Sequence, residues 1–512
     1  MDAINISKVT LGKSVTLDDI VAVARYDAVV EFSNEYVDRV NKCRKLVDKF
    51  SDEGKAIYGI TTGLGDNWSK FISKEDRDII QRNHILSHAT SVGEPIEREC
   101  VRAIMFTMLT QLGTGYTGIR IETLEQIKNL LNNKITPFVP KHGSVGYIGL
   151  EAHIGLVLIG EGHAWYKDEL LTGDEALKAV GLKPIELKSK EGLSLVSGTT
   201  SVTGITSLAL YDAIIAARTA DISGAMSLEV LKGTLMAMDE RIMNVRPHID
   251  QKNTASNIRR ILEDSEIIET YKNYRVQDAL SLRCMPQLHG AAKRVINDSI
   301  KTIETELNSA VDNPLIFSEE GDGVALMGCN ADGAYAGIIA DTIAIATTNL
   351  MKMSERRIDR LVNRHVSELP PFLNANPGLN NGLMIPQYSA AGLIGEMRLH
   401  CHPATIDNVT TCANQEDYVN MGYNAALQAY ECISLSKYIL AIELMFACQA
   451  QNFYKELKPS SATKEVCDLV RETVPFIEHD VNTYPYMEHI AGLVSNGEII
   501  DVVENQIGKL DF

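Results

Sequence analysis

The chain has 512 residues, of which 45% are hydrophobic and 23% charged, and its formal net charge is −18. These proportions are typical of a globular protein that buries a large core. The negative charge argues against a nucleic-acid partner, and no cluster of basic residues interleaved with aromatic residues offers a groove for one.

The sequence also argues against export and membrane insertion. Its first residues have neither a basic nor an apolar segment of the kind found in secretory signals. The longest charge-free stretch, Gly192 to Tyr211, is rich in Gly, Ser and Thr and is too polar for a membrane span. The nine cysteines lack paired spacing, which is typical of reduced thiols. We therefore expect a cytoplasmic protein without a membrane partner.

Helical patterns dominate the chain, and they become longer toward its C-terminus. The first 200 residues mix three shorter predicted helices with glycine-rich turns, whereas four segments after residue 200 predict helices of twenty or more residues. The predicted helices span 35–50, 74–86, 120–133, 208–231, 281–307, 334–362 and 423–454. The prolines at 370, 371 and 377 predict a loop. We predict a mainly α fold with a mixed N-terminal domain at residues 1–200 and a long-helix bundle at residues 201–512.

Two segments resemble a phosphate-binding loop and a metal site, but each lacks a residue that such a site needs. Gly12-Lys13-Ser14 resembles the end of a phosphate-binding loop, but Ser7 stands where that motif needs its first glycine. His84 and His88 are four residues apart on a predicted helix, yet no third metal ligand is evident from the sequence. We predict no metal.

Several sequence blocks between about residues 55 and 425 occur in the order found in the histidine/phenylalanine ammonia-lyase family. Together they resemble that family strongly, although each block alone would be weak. The resemblance implies an ammonia-lyase fold, of the long-helix type that fumarase and aspartase share, and a homotetramer whose active sites are shared between subunits. The blocks are Tyr58–Gly65, Gln81–Asn83, Leu86–His88, Gly93–Pro95, Gln277–Asp278, Ser281–Cys284, Asp312–Leu315, Ser354–Arg357, Leu369–Leu373 and Ala413–Asp417.

The resemblance also implies roles for five residues. Tyr58 would remove a β-proton from the substrate, for which a tyrosine needs a shifted pKa. Arg283 would clamp the substrate carboxylate with its planar fork, assisted by Asn313. His88 would recognise the substrate side chain, and Glu416 would hold an imidazole N–H or a cationic centre. A purely structural role is the alternative for each of them.

The departures from the family concern its cofactor. The family cyclises Ala-Ser-Gly into an electrophilic methylidene-imidazolone, and the serine hydroxyl leaves as water. Here Tyr147 and Ile148 replace Ala-Ser, and Ile148 has no hydroxyl to lose. Ser197 replaces the asparagine that supports the cofactor, and Asp332 stands in place of a histidine. Leu280 and Ala331 replace a catalytic tyrosine and an aromatic residue. We therefore predict no cofactor.

Without the electrophile, the substrate must supply an activated nitrogen. A quaternary ammonium does so, since it leaves as neutral trimethylamine. Tyr147 could hold it by cation–π attraction of about 0.5–2 kcal/mol, with Asp332 or Glu416 adding negative charge and Ile148 an apolar wall. The cofactor-less members that this chain resembles are ergothionases, which implies elimination of trimethylamine from the betaine ergothioneine to give thiourocanate. Three alternatives stay open: another betaine, a non-catalytic zwitterion-binding homologue, or a histidine ammonia-lyase acting by an unusual route.

Overall fold

The structure is a computed structural model that describes residues 3–318 and 322–512. Helices dominate it, as predicted. In chain order the α-helices are α1 Leu17–Arg25, α2 Asn34–Glu53, α3 Arg77–His88, α4 Arg98–Leu112, α5 Ile121–Asn132, α6 Leu150–Leu158, α7 Gly173–Ala179, α8 Glu191–Val196, α9 Thr200–Val230, α10 Glu240–Val245, α11 Ile249–Ile261, α12 Glu266–Tyr271, α13 Leu280–Arg283, α14 Met285–Leu307, α15 Ala334–Val362, α16 Arg364–Ser367, α17 Met384–His400, α18 Gly422–Ser434, α19 Ser436–Gln451, α20 Ser461–Arg471, α21 Tyr484–Ser495 and α22 Glu498–Ile507.

Short strands accompany these helices. They are β1 Lys8–Leu11, β2 Val29–Phe32, β3 Val92–Pro95, β4 Thr136–Pro137, β5 Pro140–His142, β6 His163–Tyr166, β7 Glu169–Thr172, β8 Leu315–Phe317 and β9 Val324–Leu326. β1 pairs with β2 in parallel, with Lys8 opposite Val29, while β3 pairs with β5, β4 with β6, β6 with β7 and β8 with β9 in antiparallel fashion. None of these small sheets has more than three strands.

Contacts divide the chain into two compact units. The first unit comprises residues 1–208, 300–341 and 403–427, and the second comprises residues 209–299, 342–402 and 428–512. All of the strands described above lie in the first unit. The predicted boundary between residues 200 and 201 stays a prediction about domains.

Two of the predicted long helices are interrupted, and each interruption has a local cause. The segment 281–307 divides into α13 and α14 because Pro286, in the first turn of α14, has no N–H to continue the ladder. The segment 423–454 divides into α18 and α19 at Leu435. There the hydroxyls of Ser434 and Ser436 donate to backbone carbonyls three residues earlier, at 2.8 and 2.6 Å, and this bonding competes with helix continuation.

Helix α9 begins at Thr200, eight residues before its predicted start. Its first turn is satisfied by Glu151 of α6, whose Oε1 accepts from the Thr200 hydroxyl at 2.7 Å and from the Ser201 N–H at 2.9 Å. A carboxylate at a helix N-terminus also complements the helix dipole. The capping residue lies far away in the sequence, so local pattern could not reveal this start.

Two helical segments, Glu191–Val230 and Ala334–Val362, are long and apolar enough to cross a membrane by length and composition alone. However, 94% and 61% of their most apolar stretches are buried inside the fold. Burial in the core therefore accounts for their apolar composition.

The second unit contains a buried ion pair that ties α15 to α19. Arg357 and Glu443 are both fully buried, and the Arg357 Nη2 donates to Glu443 Oε2 at 3.0 Å. The hydroxyls of Ser223 and Ser227 on α9 donate to the same carboxylate at 2.8 and 2.7 Å. A buried pair of this kind tolerates the loss of neither partner, because the remaining charge would be left without compensation.

We therefore expect Glu443→Gln to destabilise the protein by about 3–5 kcal/mol, because it leaves the Arg357 guanidinium buried and uncompensated. Urea unfolding followed by circular dichroism measures this loss. The control is Asp298→Asn, which breaks the exposed Arg294–Asp298 pair, and here we expect a change below about 1 kcal/mol. Equal effects of the two variants would contradict the assignment of the buried pair as a structural tie.

Candidate functional site

A cavity of about 1030 Å³ lies within the first unit. Seven of the nine residues predicted from the sequence line it, although they are spread over more than 350 positions of the chain. They are Tyr58, His88, Tyr147, Ile148, Ser197, Asn313 and Glu416. The volume is sufficient for a substrate of amino-acid size. This convergence makes the cavity the candidate active site.

Tyr58 lies in the loop between α2 and α3, and its phenol oxygen accepts a hydrogen bond from the Gly65 N–H at 2.7 Å. Burial raises the pKa of Tyr58, the negative charge of Glu416 adds to this, and the Gly65 N–H opposes it. The pKa shift is thus opposite to the one that a base at neutral pH needs. In this state the phenol keeps its proton at neutral pH.

His88 and Glu416 face the same cavity and form its candidate ring-binding side. His88 is the last residue of α3, its Nδ1 lies 3.0 Å from the Ser87 hydroxyl, and its ring meets that of His84 edge-on at 6.0 Å. Burial lowers the pKa of His88, so the imidazole is neutral at pH 7. Glu416 accepts from the Thr411 hydroxyl at 3.0 Å. A neutral imidazole beside a carboxylate can orient a polar ring through hydrogen bonds.

The segment 143–149 forms the wall where the family carries its electrophile. Gly146 has φ +108°, and a Cβ there would come within 2.1 Å of the Asn420 amide oxygen, so only glycine fits. Tyr147 and Ile148 line the cavity, and Ser197 lines it from the end of α8. Because Ile148 has no hydroxyl to eliminate, these residues do not fit the methylidene-imidazolone.

Asp332 does not line the cavity itself but is bonded to a residue that does. The Tyr147 hydroxyl donates to Asp332 Oδ2 at 2.6 Å, and the Asn420 amide donates to the same oxygen at 3.3 Å. The second oxygen, Oδ1, accepts from the Ala334 N–H at 2.8 Å, at the start of α15. Both oxygens of Asp332 are therefore engaged, and the Tyr147 hydroxyl is held as a donor toward Asp332.

Sequence reasoning missed three members of this cluster. Cys329 lines the cavity, and its thiol interacts with the Tyr147 hydroxyl. Asn420 bonds Asp332, and burial together with the charge of Asp332 raises the pKa of Glu306 to about 7. Glu306 and Asn420 lie outside the blocks that resemble the family, so no local signal identified them. Cys329 lies close in sequence to Ala331 and Asp332, which differ from the family, and this proximity was a signal that could have identified it.

Asn313 is fixed by a buried ionic network. Asp312 and Lys190 are fully buried and form an ion pair, and the Ser194 hydroxyl donates to Asp312 at 2.8 Å. The other oxygen of Asp312 accepts from the Asn313 N–H at 2.7 Å, and Asn313 Oδ1 accepts from the Gly328 N–H at 3.0 Å. The network holds Asn313 and α8 in one arrangement beside the cavity.

Arg283 is not among the described residues that line this cavity. It belongs to the second unit, where its Nε donates to the Asp278 carbonyl at 3.1 Å. No lysine or arginine is among the described residues that line the cavity, whereas Glu416 and Asp417 are. Within the described part of the chain, the cavity therefore has acidic groups but no cationic partner for a substrate carboxylate.

The chain is similar along its whole length to known ammonia-lyases. The family model described as "Aromatic amino acid lyase" matches residues 15–472. The chain is 42% identical to a histidine ammonia-lyase of Alkaliphilus oremlandii over 97% of this chain and 98% of the relative. It is 35% identical to the crystal structure of histidine ammonia-lyase from Trypanosoma cruzi, with a TM-score of 0.91 over 97% of this chain and 95% of that one. The ergothionase of Treponema denticola is 27% identical, with a TM-score of 0.89 over 96% and 100%.

These comparisons confirm the predicted fold class and correct the predicted function. The fold neighbours have the ammonia-lyase helical fold. The expected elimination of trimethylamine from ergothioneine is wrong, because relatives at 40–42% identity along the whole chain are named histidine ammonia-lyase. The ergothionase is more distant at 27%. The substitutions at the cofactor positions suggested a change of substrate. The chain as a whole, however, is more similar to enzymes named histidine ammonia-lyase than to the ergothionase.

The intact protein is expected to have the mass of its unmodified sequence, because Ile148 has no hydroxyl to lose as water. Mass spectrometry of the intact chain and of the peptide that contains residues 143–149 measures this. A family member with Ala-Ser-Gly at this position serves as the positive control for dehydration. Loss of water from the 143–149 peptide of this chain, one molecule for ring closure and a second for the exocyclic alkene, would contradict the assignment.

Proposed function

The chain belongs to the aromatic amino acid lyase family, and from this premise we propose that it is a carbon–nitrogen lyase that releases ammonia from histidine. The observation that carries the proposal is its whole-length similarity to enzymes named histidine ammonia-lyase. His88 and Glu416, which face one cavity, supply the polar groups that an imidazole ring requires. Urocanate and ammonia are the products of this elimination.

The proposed reaction is a 1,2-elimination with a simple balance of atoms and electrons. Tyr58, as the phenolate, takes the proton from the β-carbon, and the C–H electron pair forms the new C=C bond. The bond between the α-carbon and nitrogen breaks, and its electron pair leaves with the nitrogen. Because the amine departs from its protonated form, it leaves as neutral ammonia. The proton gained by Tyr58 then passes to water.

The β-proton must become acidic without a protein electrophile. Glu416 supports this, since a carboxylate against a ring N–H stabilises the protonated imidazole, and the cationic ring withdraws electrons from the adjacent β-carbon. His88 can hold the ring in place from the same cavity. In this proposal the substrate ring activates the β-carbon, and the protein orients and charges that ring.

The substrate carboxylate requires a cation, and none of the described residues that line the cavity is a lysine or arginine. We propose that Arg283 of an adjacent subunit supplies it and that Asn313 assists by donating from its side-chain amide. A bidentate guanidinium–carboxylate pair gives both affinity and orientation. A homotetramer with shared sites, located in the cytoplasm, completes the proposal.

The direct test is urocanate formation from L-histidine, followed by ultraviolet absorbance. We expect measurable turnover by the wild-type protein. Tyr58→Phe should lower kcat about 100-fold or more, because it removes the general base and keeps the ring. The control is Tyr166→Phe, a tyrosine outside the candidate site. Binding of histidine without urocanate at high protein concentration would instead indicate a non-catalytic homologue.

The pH profile follows from the raised pKa of Tyr58. Only the phenolate can accept a proton, and below the pKa its fraction rises about tenfold with each pH unit. We therefore expect kcat, which reports the ionisation of the enzyme–substrate complex, to increase from neutral pH upward for as long as the bound substrate ammonium stays protonated. Initial rates at each pH measure this. A plateau at neutral pH that persists in Tyr58→Phe would show that another group is the base.

Shared sites predict complementation between two inactive variants. Tyr58→Phe and Arg283→Ala alter different components, so a mixed tetramer can contain sites in which both residues are intact. We expect co-expression of the two variants to restore activity, whereas each variant alone stays inactive. Co-expression of Tyr58→Phe with Tyr58→Ala is the control and should restore none. Equal activities of the two mixtures would contradict the shared site.

A further inference from the structure

The cavity wall at residues 143–149, where the family carries an electron-accepting electrophile, has an electron-rich phenol bonded to a carboxylate in this protein. An electrophile accepts electrons from a neutral amine, whereas the wall here consists of a phenol bonded to a carboxylate. Tyr147 lines the cavity and donates to Asp332 at 2.6 Å, and both lie in the first unit. This reversal decides which form of the substrate nitrogen the wall can bind.

The direction of the Tyr147 hydrogen bond determines what the phenol offers to a ligand. Its single proton is directed to Asp332, so the oxygen can otherwise only accept; the Asn420 side chain already bonds to it, and its remaining acceptor capacity is what it offers to a ligand. Cys329, which lines the same cavity, also interacts with this hydroxyl. An acceptor backed by a carboxylate forms its strongest hydrogen bond with a charged N–H donor.

The groups around Asp332 respond to its negative charge. Burial and the charge of Asp332 raise the pKa of Tyr147, Cys329 and Tyr418, and the same causes raise that of Glu306 to about 7. These groups come from separate segments of the chain and surround one corner of the site. Asp332 is the negative charge that these groups share as a neighbour, and no described cavity-lining residue is a lysine or arginine that could compensate it.

We propose that Asp332 is a positioning residue that acts through Tyr147, so that the Tyr147 oxygen binds the α-ammonium group of the substrate and keeps it protonated until it leaves. This rests on the proposed lyase function and deepens it. The preferred ligand is a primary ammonium, because the Tyr147 oxygen requires an N–H to accept. A quaternary ammonium has a charge but no N–H, so it gains only the weaker attraction to the charge and the ring.

The cluster is also built to keep this geometry. The Asn420 amide donates to Asp332 Oδ2 at 3.3 Å, and its own oxygen accepts from the Gly422 N–H at 2.7 Å. Asp332 Oδ1 is fixed by the Ala334 N–H. The carboxylate therefore cannot rotate freely, and its remaining contact is the Tyr147 hydroxyl. Preorganisation of this kind means that the ligand binds without reorienting the wall.

The test is isothermal titration calorimetry with two probes, histamine and its N,N,N-trimethyl derivative. Both have the imidazole and the positive charge, but only histamine has N–H groups on the charged nitrogen. We expect wild-type protein to bind histamine more tightly than the trimethyl probe. Asp332→Asn should weaken histamine binding about 10-fold to 100-fold and remove its advantage over the trimethyl probe.

Three controls make the result specific. Asp332→Asn keeps Oδ1 as the acceptor for the Ala334 N–H, and thermal melting checks that it folds. Tyr147→Phe removes the oxygen alone and should abolish the same preference, which keeps the proposal testable if Asp332→Asn fails to fold. Asp52→Asn removes an exposed carboxylate that does not line the cavity and should leave the preference unchanged.

The outcomes separate this proposal from the proposed reaction. A preference for histamine that depends on Asp332, in a protein that forms no urocanate, would support the ammonium subsite and overturn the lyase proposal. Urocanate formation together with equal histamine binding by wild type and Asp332→Asn would overturn the subsite and leave the lyase proposal intact. Tighter binding of the trimethyl probe, or no binding of either probe to wild type, would overturn the subsite as well.

Discussion

The hydrogen bond from Tyr147 to Asp332 is the interaction around which the candidate site is organised. Beside it stands Ile148, a residue that cannot lose water and therefore cannot form the family's electrophile. The two features belong together, because removing the electrophile leaves a wall that must handle the substrate nitrogen in another way. A phenol oxygen backed by a carboxylate binds a protonated nitrogen, whereas an electrophile needs a neutral one. In the proposed mechanism, the site therefore recognises the charge of the substrate amine instead of activating it covalently.

Other contacts within the first unit fix the residues that surround this wall. Glu151 caps α9, and the buried pair of Lys190 and Asp312 fixes Asn313. Buried charges are costly to unpair, so such networks make one arrangement strongly preferred over others. Tyr58 is the exception, because it lies on a loop and its raised pKa suits a proton donor better than a base. In the proposed mechanism, the arrival of a cationic substrate is the event that favours its ionised form, since a nearby positive charge lowers the pKa of a tyrosine.

The sequence was sufficient for the helical class, because apolar periodicity extends over long segments such as 334–362, which is one continuous helix in the structure. It also identified seven residues that share one cavity: four lie in the family blocks, whereas Tyr147, Ile148 and Ser197 stand out as departures at the cofactor positions. Local pattern could not show that Glu151 caps α9, since the two positions are 49 residues apart. It could not show that the Tyr147 hydroxyl donates to Asp332 or that the charge of Asp332 raises the pKa of Glu306, because these contacts exist only in the folded chain. Substitutions at the cofactor loop also suggested a change of substrate, which the whole-length similarity to histidine ammonia-lyases does not support.

The protonation state of the bound amine shows whether the Tyr147–Asp332 pair holds an ammonium group. The measurement is a ¹⁵N NMR titration of L-histidine labelled at its α-nitrogen and bound to Tyr58→Phe, a variant designed to bind without turnover. We expect the bound nitrogen to stay an ammonium to a higher pH than it does in solution, because the Tyr147–Asp332 pair stabilises the positive charge. A bound nitrogen that loses its proton at a lower pH than in solution, or that shows the shift of a covalent adduct to the protein, would contradict the account.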